Sequence, residues 1–468
     1  TDNWIWPRHT GDFSMFRVYA SKDNRPAAYS PQNVPYRPKK HFSISTKGVK
    51  EGDFTMIYGF PGNTQEYILS DAVAYIAERS DPAKIAIRTG RLDIITKAQE
   101  SDPALRIHYA AKHASIANAW KKWQGEALGI DRRGTVAAKF DYETQFGLWS
   151  VGRPEYAGVV MGLRVEYDRI MDAYFAYEIT RETLSTLPAA YTPEERAEEC
   201  FARRKFAEQA LWRHAFREYG RCPKVYRTPS YAEGMARYKS PEAYADALFE
   251  AVWEGSDSVA MQPAVRLREE TKRMLDHISW MLGTKSLRNL NSKILNELYT
   301  TYIKGLREWD RERAFYPDAN LTLRVAYGSV AGYEYADGEY HKPQTTLDGI
   351  IAKDNPEIYD YDIPQSLRDL YASKNYGRWG TVIDGRRTVP VCFLATNHTT
   401  GGNSGSPVLN AGGELIGINF DRTWRSTMSD IAFDPAICRN IAVDIRYVLF
   451  VVDRVGGAGY LLKEMTLK

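Results

Sequence analysis

A block of helix-patterned sequence from about residue 66 to 310 separates two strand-patterned ends, and few folds accept that order. Within the block, Thr192-Pro193-Glu194-Glu195 has the residues of a capping box, with Thr as cap, Pro at the first helical position and Glu at the third. It is expected to open a helix that carries Trp212, Ala215, Phe216 and Tyr219 on one face and stops at Gly220. Ser240-Pro241 opens another, striped by Tyr244, Leu248 and Val252 and ended by Gly255. Leu267, Thr271, Leu275, Ile278 and Leu282 mark a third, and Leu287, Ile294, Leu298 and Tyr302 continue the spacing. Apolar and aromatic stripes at this period are core, so none of these residues is assigned to chemistry.

Strand patterns occupy the two ends. Phe16 to Ala20 alternates, and Phe54 to Pro61 reads as a buried strand closing on a Gly/Pro turn. After about residue 318, Leu321, Leu323, Val325 and Tyr327 alternate with polar or small residues. Val389–Leu394, Glu414–Phe420 and Ile441–Val452 read as further strands. The simplest topology is a helical insertion in an otherwise β-barrel protein.

A net charge of +3, from 62 basic and 59 acidic side chains, gives no electrostatic footprint for nucleic acid. No apolar run approaches the ~18–20 residues that span a bilayer. No signal-peptide pattern is visible, but the chain opens on Thr-Asp-Asn-Trp without Met and reads as entered mid-domain, so compartment stays open. Cys200, Cys222, Cys392 and Cys438 have no CxxC spacing, which argues against a zinc site. Pairing in an exported protein and plain buried thiols both remain open for them.

Chemistry concentrates at Gly401-Gly402-Asn403-Ser404-Gly405-Ser406-Pro407, followed by a strand–turn–strand pattern with Asn410 to Gly413 as the turn. The glycines let the backbone curl so that successive N–H groups point at one spot, as an oxyanion hole requires. The serine stands on that curl with its hydroxyl available to a base. Such a serine needs an imidazole oriented by a carboxylate. The eight histidines are His9, His41, His108, His113, His214, His277, His341 and His398. His214 and His277 sit on helical stripes, His398 is six residues before Ser404 in a tight loop, and none stands in a first-barrel strand–turn context. The catalytic histidine is therefore expected to be missing from this stretch.

Asp2-Asn3-Trp4-Ile5-Trp6-Pro7-Arg8-His9-Thr10-Gly11-Asp12-Phe13, Ala117-Asn118-Ala119-Trp120-Lys121-Lys122 and Thr400 to Pro407 together resemble the bacterial chymotrypsin-fold dipeptidyl-peptidases. These are the dipeptidyl-peptidase 7 and dipeptidyl-peptidase 11 group, and the resemblance runs the length of the chain, nearest to the Asp/Glu-specific members. It implies an α+β multidomain architecture, a chymotrypsin-like double β-barrel with a large inserted all-α-helical domain. The end of the first barrel with its linking strands would be 1–65, the helical domain 66–315 and the second barrel 316–468. The family's first barrel and histidine lie ahead of the position matching Thr1, where this chain departs from the pattern.

By the same resemblance Ser404 is the nucleophile and Asp12 the aspartate that orients the histidine. The Gly402 and Ser404 amides form the oxyanion hole. Asn3, Trp4, Asn118 and Asp421 surround the substrate's free N-terminus, a carboxylate with amide acceptors being what an α-ammonium needs. Arg422 stands where relatives preferring apolar P1 residues carry a small one, so it is expected to pair with an Asp or Glu side chain in S1, with Arg425 as a weaker helper. The implied activity is a serine exopeptidase releasing N-terminal dipeptides with acidic P1 from oligopeptides, with no metal or cofactor. It further implies export to the periplasm or cell surface of a Gram-negative bacterium, and a homodimer. The alternatives are a non-catalytic peptide N-terminus binder, a dipeptidyl-peptidase preferring apolar P1, and a chymotrypsin-like endopeptidase.

Overall fold

The structure is a computed structural model and describes residues 2–255, 257–283 and 290–468. The chain divides into two compact units, Thr1–Glu66 with Pro317–Lys468, and Tyr67–Tyr316. It is α+β, with about 52% helix.

The first unit is built on a curled seven-stranded antiparallel sheet. In chain order its strands are β1 (Phe54–Gly59), β2 (Arg324–Ser329), β3 (Gln344–Thr346), β4 (Pro390–Ala395), β5 (Ser406–Leu409), β6 (Leu415–Arg422) and β7 (Asn440–Asp444). Their spatial order is β2-β1-β5-β6-β7-β4-β3. β4 and β7 are buried along their whole length, and Ile57, Val330, Phe393, Val408, Ile416 and Ala442 make one core cluster. The β5–β6 hairpin turns on Asn410, whose side-chain oxygen accepts the Gly412 and Glu414 amides. Along β6 and β7 the register runs Asn419↔Ala442 and then Asp421↔Ile441, leaving Phe420 as an unpaired extra residue. Such a bulge bends the strand and re-aims the side chains after it.

Three strand expectations shorten. Of the run from Leu321 to Tyr327, Leu321 and Leu323 precede the strand, which begins at Arg324. Only Tyr19–Ala20 of the Phe16 segment is strand. The apolar run Ile441–Val452 is strand only to Asp444 and then becomes the helix Ile445–Phe450. Uniform hydrophobicity cannot separate the two states. Asp444 does, because its carboxylate caps the Arg446 amide and takes the Arg446 guanidinium.

The second unit is helical. Its long helices among the described residues are α1 (Asp81–Ser101), α2 (Pro103–Arg132), α3 (Thr135–Trp149), α4 (Val159–Glu182), α5 (Lys205–Tyr219), α6 (Pro229–Tyr238), α7 (Pro241–Glu254), α8 (Ser258–Leu282) and α9 (Lys293–Trp309). Tyr167, Trp212, Phe216, Tyr219, Phe249 and Tyr302 belong to one large aromatic-rich core. The Thr192 capping box is present, but its helix is the short Pro193–Ala197. The stripe through Trp212 and Tyr219 belongs to α5, which begins at Lys205. Between them the chain leaves the helical path at Glu198, whose ψ is 133, and the Phe201 ring beyond it stacks on Trp253 at 4.2 Å. Ser240 caps α7 through the Ala243 amide, and Gly255 ends it in the left-handed region. Leu287 lies outside the described residues.

Candidate active site

Ser404 sits on the turn between β4 and β5, exposed to solvent. Gly402 has φ +106 and Gly405 φ +85, values that only glycine adopts without strain. A Cβ on Gly402 would lie 2.4 Å from the Phe60 carbonyl oxygen, so the turn also needs glycine for space. The loop after β1 braces the turn from behind, with the Gly62 amide donating to the Gly401 carbonyl at 2.6 Å. Within the turn alternate amides are spent: Asn403 donates to the Thr400 carbonyl and Gly405 to the Asn419 carbonyl. Among the described residues the Gly402 and Ser404 amides have no acceptor.

A file of buried asparagines supports this geometry from the sheet. Asn440 donates to the Asn419 side chain at 2.9 Å, and Asn419 donates to the Asn403 carbonyl at 3.1 Å. The Ser404 hydroxyl donates to the carbonyl of Phe420, the bulge residue, at 3.2 Å. The bulge thus places the serine and the residues following it, Asp421 and Arg422, at one end of the sheet.

The N-terminal segment crosses this end. Trp4, at φ +65, donates its amide to Asp421 Oδ2 at 2.9 Å and accepts the Trp424 amide at 2.6 Å. Asn3 is half-buried beside it. Asp421 is 8% exposed and also accepts from Arg8 Nη1 at 2.8 Å and from the Arg422 amide at 2.9 Å. Burial pushes the Asp421 carboxyl above its ordinary value, against the pull of Arg8 and the two amides. Arg8 Nη2 reaches Asp12 Oδ2 at 3.3 Å, and the Asp12 side chain is 63% exposed. Among the site residues of this unit, the structure joins Asp12 to Asp421 through Arg8, and Trp4 to Asp421 through its amide; no local sequence signal marks Arg8 for this place.

Arg422 is 5% exposed, and its guanidinium forks onto Asp430 at 2.6 and 2.7 Å. Nη1 also donates to Ser429 Oγ and the Thr399 carbonyl, and the group lies 5.5 Å from the Trp4 ring. The sequence points to an Asp or Glu side chain of a substrate as partner; in the structure the guanidinium is forked within the chain onto Asp430, eight residues on. Arg425 pairs with Glu339 and His341 and lies over Tyr335.

The histidines have other employment. His398 contacts the Ser429 carbonyl and Glu66 and stacks on Phe433. His214 contacts the Ile87 carbonyl inside the helical unit. His9 is half-buried beside Gly349, and burial together with the Lys353 charge lowers its imidazole to about 4, so it is neutral near pH 7. Its neighbour Asp2 is pushed up by burial, yet the Lys353 ammonium and the His9 amide hold it below its ordinary value.

Asn118 lies on α2 of the helical unit. His108, Glu198 and Cys200 bring donor atoms within 4.8 Å of one another there. Arg204 Nη1, 2.7 Å from His108 Nε2 and 3.0 Å from Glu198, already puts a cation into that group. All four cysteines are buried thiols with no disulfide between them, and burial raises the Cys392 thiol far above its ordinary value. Among the described residues no helix is long and apolar enough to cross a membrane.

The pattern described as Peptidase S46 matches residues 1–197 and 192–467. An Asp/Glu-specific dipeptidyl-peptidase of Capnocytophaga gingivalis is 41% identical over 513 residues, covering 100% of this chain and 70% of the relative. A dipeptidyl-peptidase 7 of Phocaeicola vulgatus is 33% identical over 508 residues, with the same coverage. The crystal structure of Porphyromonas endodontalis DPP11 in complex with dipeptide Arg-Glu matches with a TM-score of 0.84 at 32% identity, covering 100% of this chain and 72% of that one.

Proposed function

We propose, since this chain belongs to the Peptidase S46 family, that it is a serine-type peptidase releasing N-terminal dipeptides with Asp or Glu at P1. The observation that carries the chemistry is the Ser404 turn, with its exposed hydroxyl and the two amides that have no acceptor among the described residues.

Ser404 Oγ attacks the carbonyl that closes the second residue of the substrate. Its proton passes to the histidine that the family pattern puts ahead of Thr1, and Asp12 orients that imidazole. The oxyanion is taken by the Gly402 and Ser404 amides. The leaving amine departs protonated, and water then hydrolyses the acyl-enzyme.

Asp421 receives the substrate's α-ammonium together with Asn3 and Trp4, and Asn118 is carried over to this role on the resemblance alone. A charged terminus fixed two residues from the nucleophile is what limits the product to a dipeptide. Arg422 selects the acidic side chain, and Asp430 holds its guanidinium in place. A double barrel, export to a Gram-negative periplasm or cell surface, and a homodimer complete the reading. They rest on the family resemblance.

In the full-length protein, Ser404→Ala should cut kcat on acidic-P1 dipeptidyl substrates by roughly 10⁴-fold or more. Retained turnover would reject the assignment. Acetylating the substrate amine should abolish cleavage, and cleavage that survived would point to an endopeptidase instead.

A further inference from the structure

Arg8 joins two of the carboxylates of the first unit, Asp421 and Asp12. It is 3% exposed. Nη1 donates to Asp421 Oδ2 at 2.8 Å and to the Asp2 carbonyl at 2.6 Å. Nη2 donates to Asp12 Oδ2 at 3.3 Å, and Nε to Thr10 Oγ1 at 2.7 Å. Its guanidinium carbon lies 4.8 Å from the centre of the Phe420 ring, and the Phe420 carbonyl is the acceptor of the Ser404 hydroxyl. A planar fork whose donors are spread over three directions fixes the relative positions of its acceptors, which an ammonium on a flexible stem does not.

The charges give this bridge a consequence. One guanidinium between two carboxylates leaves one negative charge in excess. An α-ammonium at Asp421 balances it and shares with Arg8 the carboxylate that Arg8 shares with Asp12.

We propose that Arg8 is a positioning residue that sets the amine-binding carboxylate Asp421 and the exposed carboxylate Asp12 with one guanidinium, so that recognition of the free N-terminus and orientation of the catalytic base depend on the same side chain. This rests on the roles proposed above for Ser404, Asp12 and Asp421. A residue that only packed the amine site would change KM and leave kcat alone. A residue that only steadied Asp12 would do the reverse. Arg8 changes both.

The experiment uses the full-length protein and begins with the wild type against Ser404→Ala. Loss of turnover in Ser404→Ala establishes the underlying reading, and persistence rejects that reading and this inference with it. Arg8→Lys then keeps the charge and removes the fork. Its kcat on an acidic-P1 dipeptidyl substrate is expected to fall about tenfold, and the inhibition constant of an X-Glu product dipeptide to rise by a similar factor.

Thr10→Val removes only the acceptor that orients Nε, and should move both constants the same way by about threefold. It decides the question alone if Arg8→Lys does not fold. A folded variant in which only one of the two constants moves, or neither, overturns the inference.

Discussion

The two units treat buried charge differently. In the helical unit the charged groups close on one another. Arg88 forks onto Glu182, Lys84 lies between Asp81 and Glu178, and Arg204 fills the space between His108 and Glu198. These pairs are set among aromatic rings such as Trp123, which lies under both Lys84 and Arg88. In the β unit the chain from Asp421 through Arg8 ends on Asp12, most of whose carboxylate faces solvent. The Ser404 turn beside it is exposed and glycine-dependent. Closed pairs of this kind hold a fold, and the β unit has one as well in Arg446 on Asp444. A network that stops at an exposed carboxylate is organised for something outside it.

Substitutions in the two units should therefore fail in different currencies. The largest effect is expected from Phe249→Ala in the helical core, where a fully buried ring is lost. Unfolding free energy should fall by about 3–5 kcal/mol in urea denaturation, with kcat per folded molecule unchanged. Gly402→Ala comes next, because φ +106 and the Phe60 carbonyl both exclude a Cβ. It should lower kcat by roughly 10²–10³-fold with a smaller change in stability. A Gly402→Ala protein with full kcat would erase the distinction between the units.

Arg422→Gly sharpens the comparison within the β unit. It should turn preference from Asp or Glu at P1 toward apolar P1, by about 1.5–3 kcal/mol in the ratio of kcat/KM values. It also leaves Asp430 without its forked partner, so some loss of stability should accompany the switch. Unchanged specificity would remove Arg422 from S1.

The smallest effect is a pH dependence at His9. Its folded-state value of about 4 lies below the usual imidazole range, so between roughly pH 6.5 and 4 the unfolded chain binds the extra proton. Stability from this residue is thus complete above about pH 6.5 and declines as pH falls toward 4. His9→Gln should flatten that decline, by about 1 kcal/mol given that the ring is half-buried. Urea midpoints at pH 7 and 4.5 compare the two proteins, and an unchanged slope would show that His9 does not contribute to it.

Much of this was legible because the signals are local. Asn410 to Gly413 separates two alternating runs, and those runs form the β5–β6 hairpin. Ser240-Pro241 and Gly255 bound a helix whose stripe is buried. Gly402 and Gly405 bend the backbone where their order around Ser404 suggested. Local signals misled where a distant contact overrode them. The helix behind Thr192 breaks at Glu198, and the Phe201 ring that follows packs on the distant Trp253. Asp444 ends a strand because it serves Arg446.

Charge partners were the least legible. Arg8 and Asp421 are 413 residues apart, and nothing near either one names the other. Asp430 is eight residues from Arg422, yet Asp421 is adjacent and carries the same charge.

Element boundaries, the serine turn and the residue types available to it follow from the order of amino acids, since backbone preference and side-chain period act over a few positions. Which carboxylate each buried arginine takes, and which amides of the turn are left for a ligand, the chain acquires only when its strands assemble. Burial makes an unpaired charge too costly to keep, and only the assembled sheet determines which groups lie within reach to satisfy it.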